Sequence, residues 1–125
     1  MQDFRKLMVW NRAHALTLDV YAITKPFPPA ERYGLTAQLR RSASSVATNL
    51  AEGCGHGSVP SFASFVQVAF GSACECEYQC LLALDLGYIG PTDHEVLAAQ
   101  VTEVKRMLAS LLRTLRMKAA VRGKG

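Results

Sequence analysis

The sequence predicts an all-α fold, an up-down-up-down antiparallel four-helix bundle, on three observations. Apolar residues recur at alternating steps of four and three along nearly the whole chain. That period, about 3.5 residues, belongs to helices packed at small crossing angles. Clusters of proline and glycine interrupt the pattern between its four series. The connections are short, and short connections force neighbouring helices antiparallel.

The first series is Val9, Ala13, Leu16, Val20 and Ile23, and it stops before Pro26, Pro28 and Pro29, which cannot continue a helix. A short Pro-Ala-Glu-Arg-Tyr turn leads to Gly34 and the second series, Leu35, Leu39, Ser42, Val46 and Asn49, expected to end at Gly53. Ser58 is placed to cap the third helix, with Pro60 tolerated in its first turn. That helix carries Phe62, Val66, Ala69, Ala73, Cys76, Cys80 and Ala83 inward and ends near Gly87, Gly90 and Pro91. Thr92-Asp-His-Glu95 reads as a capping box for the fourth helix, whose inward series is Leu97, Val101, Val104, Leu108, Leu111 and Leu115. One domain is expected over residues 1–118, with residues 119–125 as a flexible basic tail.

Length and composition fit this reading. A chain of 125 residues, half apolar and 19% charged, folds as one globular domain without disulfides. No uncharged apolar run of roughly eighteen residues, the span of a bilayer, occurs, and the first residues lack the apolar centre of a signal peptide. A cytoplasmic protein with no membrane partner is the expectation. Cys54, Cys74, Cys76 and Cys80 read as buried thiols, with Cys76 and Cys80 on one helical face. A metal site from Cys76, Cys80 and His56 lacks a second ligand pair at zinc spacing and is rejected. No cofactor is expected.

Catalytic patterns fail in turn. His14, His56 and His94 fall on a helix, in a turn and in a cap, with no spacing that assembles a nucleophile and base. No glutamate is followed three residues later by histidine, so the di-iron bundle pattern is missing. Gly53, Gly55 and Gly57 follow no strand and precede no Lys-Ser/Thr pair, so they form no phosphate loop. The sequence predicts no enzyme.

Charge is the informative property. The net charge of +4 conceals segregation: residues 42–104 hold Glu52, Glu75, Glu77, Asp85, Asp93, Glu95 and Glu103 without a single lysine or arginine. Residues 105–125 hold Lys105, Arg106, Arg113, Arg116, Lys118, Arg122 and Lys124 without an acid. This pattern implies internal or intersubunit pairing, or a surface for a polyanion. The candidate nucleic-acid-binding set is Arg40, Arg41, Lys105, Arg106, Arg113, Arg116 and Lys118, with the four α-helical positions from Lys105 to Arg116 expected on a shared stripe. No aromatic residue interleaves the bases of the fourth helix and tail, which argues against stacking on single strands. A second set, Gln38, Asn49, Glu52, Glu75 and Glu77, reads as structural or interfacial. Arg41 is expected to pair with Glu75 or Glu77, and Asn49 to satisfy the turn that follows it. Small residues on the third helix (Ala69, Gly71, Ser72, Ala73) and second apolar stripes (Ala43, Ala47, Leu50; Phe65, Phe70, Leu81, Leu84) leave two readings open, close packing within one bundle or self-association.

The run from Phe4 to about Tyr88 also resembles the bacterial four-helix bundle proteins encoded by intervening sequences of large-subunit ribosomal RNA genes. Relatives of these proteins are accessory proteins of diversity-generating retroelements. The matching pieces are Leu7-x-x-Trp10, Val20-Tyr21, Phe27-Pro28, Glu31-x-x-Gly34-Leu35-Thr36 and Gln38-Leu39-Arg40-Arg41. They continue with Asn49-x-Ala51-Glu52-Gly53, Phe62-x-x-Phe65, Gly71-Ser72, Glu75-x-Glu77 and Leu86-Gly87-Tyr88. The resemblance implies a homopentameric ring, no established enzymatic activity and, for the retroelement relatives, association with nucleic acid and a reverse transcriptase. One departure stands out: the turn reads Cys54-Gly55-His56-Gly57-Ser58 where the family carries basic residues. The functional expectation is therefore an oligomeric scaffold that binds RNA or DNA electrostatically; the alternative is a protein–protein adaptor that binds no nucleic acid.

Overall fold

The computed structural model describes residues 2–124, with side chains through Val121. Four helices account for nearly all of it: α1 (Met8–Thr24), α2 (Leu35–Gly55), α3 (Val59–Asp85) and α4 (Pro91–Lys124). Short 3-10 turns at Phe4–Lys6 and Pro29–Glu31 precede α1 and α2. Each helix packs on its two neighbours around a square, α1 on α2 and α4, α3 on α2 and α4, while the diagonal pairs stay apart. That is the expected up-down-up-down bundle.

The core is the one the periodicity marks. Every position of the four series is buried except Ile23, Asn49 and Leu111, which are half-buried. Leu16, Leu39, Leu97 and Leu108 are the large side chains sealed at its centre, each stabilising the fold by about 1.5–3 kcal/mol relative to exposure. Ala43 and Leu50, from the second apolar stripe, also enter this core, whereas Leu81 remains 44% exposed.

Two boundaries differ from expectation. Helix α4 begins at Pro91, so Thr92 lies inside the first turn and the capping-box reading fails. Proline opens the helix because a first-turn residue needs no N–H partner, and the His94 N–H bonds instead to the Gly90 carbonyl at 3.0 Å. At the other end, no break marks the expected boundary after Lys118. Met117, Lys118, Ala119 and Ala120 are strong helix formers, and the helical backbone runs through Lys124; Gly125 lies outside the described residues. Ser58 caps α3 as expected, accepting the Ser61 N–H at 3.2 Å.

The end of the bundle that holds the α1–α2 and α3–α4 turns is clamped by one carboxylate. Glu31 Oε1 accepts the backbone N–H of Leu35 at 3.0 Å, and Glu31 Oε2 accepts the Tyr88 hydroxyl at 2.8 Å. The backbone contact foremost, and then the Tyr88 hydroxyl, hold the Glu31 carboxyl below the usual value of 4.5, and the bond to Glu31 pushes Tyr88 above 10. A Cβ on Gly34 would stand 2.6 Å from Glu31 Oε1, so glycine keeps the cap in place. Gly87 has φ +78°, a left-handed conformation that an L side chain resists.

Candidate nucleic-acid interface

Five of the seven bases singled out from the sequence make side-chain contacts within the bundle, Arg40, Arg41, Lys105 and Arg106 among them. Arg40 Nε donates to Thr24 Oγ1 at 2.8 Å and Nη2 to the Tyr21 carbonyl at 3.3 Å, closing the last turn of α1. Arg41 pairs with Glu75 across the α2–α3 seam at 3.4 Å, as its position predicted. Lys105, only 27% exposed, pairs with Glu77 at 3.1 Å, and Arg106 folds back on Glu103 at 2.7 Å. The last contact holds the Glu103 carboxyl below its ordinary value.

The expected stripe on α4 therefore does not form as a single cationic face. Lys105 and Arg116 lean toward α3, where Arg116 Nη2 donates to Gln67 Oε1 at 2.7 Å. Gln67 is neutral, so the charge of Arg116 is undiminished. Arg113 and Lys118 are exposed on the last turns. Lys118 faces a shallow cleft of about 290 Å³ shared with Gln2, Leu7, His56 and Ser58. The N-terminal segment joins this end because the Gln2 N–H bonds to the Cys54 carbonyl at 3.0 Å. Arg5 and Lys6 are thereby carried to the same end as Arg113, Arg116 and Lys118, where Asp3 and Glu52 are the nearby acids among the described residues. Asp3 is partly spent on Arg5 at 3.5 Å. Arg5 and Lys6 lie outside the candidate set read from the sequence; the signal for them was the basic N-terminus itself.

The opposite end carries the reverse sign. Glu31, Asp85, Asp93 and Glu95 gather around its two turns, with Lys25, Arg32 and Arg40 as cations there. The bundle is thus polarised along its axis, acidic at one end and basic at the other.

The polar set on α2 and α3 forms a seam between those helices. Ser42 Oγ donates to Gln79 Oε1 at 2.6 Å and Gln79 Nε2 to Glu75 at 3.5 Å, which extends the Arg41 pair inward. Asn49 does not reach the following turn. Its amide bonds back to the Ser45 carbonyl at 2.8 Å and to Ser45 Oγ at 3.0 Å, because a carbonyl one turn earlier lies directly within reach. Ser45 Oγ in turn meets Ser72 Oγ at 2.8 Å. Gln38 and Glu52 are solvent-exposed and outside this seam.

Residues 5–110 match the family described as 23S rRNA-intervening sequence protein. The chain belongs to that family. None of the functionally curated proteins matches it. Among solved structures, a protein of unknown function from the S23 ribosomal protein family of Bacteroides thetaiotaomicron is similar in fold, with a TM-score of 0.76 and 21% identity. The match covers 84% of this chain and 98% of that one. Set against the structure, the motif pieces that carry the family resemblance are largely architectural. Glu31, Gly34, Leu35 and Tyr88 make the clamp, and Gly53 lets the α2 backbone meet α3, since a Cβ there would stand 2.7 Å from the Phe62 ring.

Burial pushes the Cys54 thiol up, and the hydrogen bond between Cys76 and Cys80 pushes Cys76 up and Cys80 down. Among the described residues no group of three or more His, Cys, Asp or Glu side chains is arranged to hold a metal ion, and no helix is long and apolar enough to cross a membrane.

Proposed function

We propose that this protein is a non-enzymatic, cytoplasmic, homo-oligomeric bundle that associates electrostatically with nucleic acid through the basic end of its axis. The observation that carries this reading is the clustering of Arg5, Lys6, Arg113, Arg116 and Lys118 at one end, while Arg41, Lys105 and Arg106 pair with acidic partners and Arg40 is bonded to the end of α1. Arg40, Arg41, Lys105 and Arg106 are accordingly removed from the principal contact set. Phosphate neutralisation by such a cluster is tight at low salt and indifferent to sequence. Self-association is supported by Tyr78 (61% exposed), Leu81, Val68 and Val96, apolar side chains left open on α3 and α4. A five-membered ring, the arrangement the resemblance implies, would multiply the basic patch, and a reverse transcriptase is the partner that reading assigns to the assembly.

Fluorescence anisotropy of labelled duplex DNA and RNA, titrated with protein from low to physiological salt, tests the reading. Binding whose logarithm falls linearly with log salt supports it, with a slope near −0.9 per phosphate contacted on duplex DNA. Flat traces at low salt overturn it in favour of a protein–protein adaptor using the same apolar surface. Light scattering tests the assembly, and a mass near that of one chain sinks the ring.

A further inference from the structure

We infer that copies of this chain associate end to end, the acidic α3–α4 turn of one copy receiving the basic last turns of α4 from the next. This contact is separate from the open apolar faces of α3 and α4 invoked above, and it needs no nucleic acid.

Ion pairs within the bundle account for Glu75, Glu77 and Glu103. Among the described residues, Asp85, Asp93 and Glu95 enter no ion pair, and all three are exposed around the α3–α4 turn. The cations at that end, Lys25, Arg32 and Arg40, come from the α1–α2 side, and residues 42–104 supply neither lysine nor arginine to the α3–α4 side. The reverse holds at the far end of α4. Arg113 and Lys118 are exposed with no acidic partner among the described residues, Arg116 rests on neutral Gln67, and α4 carries no acid after Glu103.

Within one molecule these two sets cannot meet. Asp93 and Lys118 lie roughly 37 Å apart on one continuous helix, and Glu95 and Arg113 roughly 27 Å. Even the shorter distance is about three screening lengths at physiological salt. A polyanion satisfies the bases and leaves the acids unanswered, whereas the basic end of a second copy answers both.

Shape agrees with charge. Lys118 stands level with the α2–α3 connection, sharing a cleft with His56 and Ser58. The α4 backbone runs on through Lys124, roughly 9 Å further. Met117 and Val121 on these last turns are 69% and 71% exposed, and Leu86 at the receiving turn is 50% exposed. Each patch therefore sets apolar side chains among charges of one sign, and the two signs are complementary. The contact is heterologous. Because its halves lie at opposite ends of the bundle, repeating it advances along the axis and does not close, so its signature is open-ended growth rather than a fixed copy number.

Light scattering of the full chain without nucleic acid tests this. At low salt the average mass is expected to rise at least about twofold across a hundredfold range of concentration, by mass action. In about 1 M salt, where the screening length falls to about 3 Å, the mass should stop rising. Two variants each reverse one end: Asp85→Lys with Glu95→Lys, and Arg113→Glu with Lys118→Glu. Each alone should show a mass independent of concentration, and an equimolar mixture should regain growth, since native and exchanged contacts both pair opposite charges. A parental mass that is flat at low salt overturns the inference. Growth that persists in both variants overturns it too, as does growth that fails to return when the two, each helical by circular dichroism, are mixed. A flat mass here leaves the nucleic-acid reading standing, and an absence of nucleic-acid binding leaves this contact standing.

Discussion

The two ends of this bundle are built on opposite principles. At the acidic end, Glu31 ties the start of α2 to Tyr88 beyond α3, Phe27 packs on Tyr88 with centroids 5.3 Å apart, and Gly87 turns the chain with φ +78°. At the basic end the α2–α3 connection carries Gly55 and Gly57, where an added Cβ would meet no other part of the fold within 4 Å, and cations stand exposed around it. One end fixes the architecture and the other displays charge. The lesson is that the most recognisable residues of this chain hold the fold, whereas the residues available to a partner are individually unremarkable and matter by where the fold gathers them.

Breaking the clamped end should cost most. Phe27→Ala removes a buried ring and is expected to destabilise by about 3–5 kcal/mol in denaturant unfolding. Gly53→Ala, where α2 meets Phe62 at the basic end, should cost about 1–3 kcal/mol through overpacking. Gly87→Ala should cost about 1–2 kcal/mol for the left-handed backbone alone. Gly55→Ala and Gly57→Ala, by contrast, should stay within about 0.5 kcal/mol of the parent, because space surrounds both and neither has a left-handed φ. A large loss at Gly55 or Gly57 would contradict the distinction between the ends.

The clamp also predicts a pH window. The folded Glu31 carboxyl lies below 4.5, so its contribution is present above that value and disappears as pH falls through the lowered one. Tyr88 lies above 10 when folded, so its contribution is present below 10 and is lost as pH rises through the raised value. The difference in melting temperature between the parent and Tyr88→Phe should therefore be widest between these limits and narrow toward both. A difference that does not vary with pH would sever Tyr88 from Glu31.

How much of this was legible in the sequence follows from the range of each interaction. Helices, core series and the Ser58 cap depend on neighbours within a few residues, and periodicity revealed them. The Arg41–Glu75 pair was also legible, because two facing helices with opposite charges at matched heights have few other solutions. The Glu31–Tyr88 bond joins residues 57 apart and left no local trace. Arg40 read as a surface cation because nothing in α2 shows that the end of α1 lies beside it.

The most direct test of the central claim compares charge reversals at the two ends by salt-dependent anisotropy on duplex DNA. One variant carries Arg113→Glu and Lys118→Glu; the other, with the same change in net charge, carries Lys25→Glu and Arg32→Glu. A functional basic end predicts that the first variant loses most of its affinity, and that its salt slope becomes shallower by about one unit per contact removed, while the second keeps the parental slope. Equal losses in both variants would reduce binding to net charge and contradict the claim that the fold gathers a site at one end.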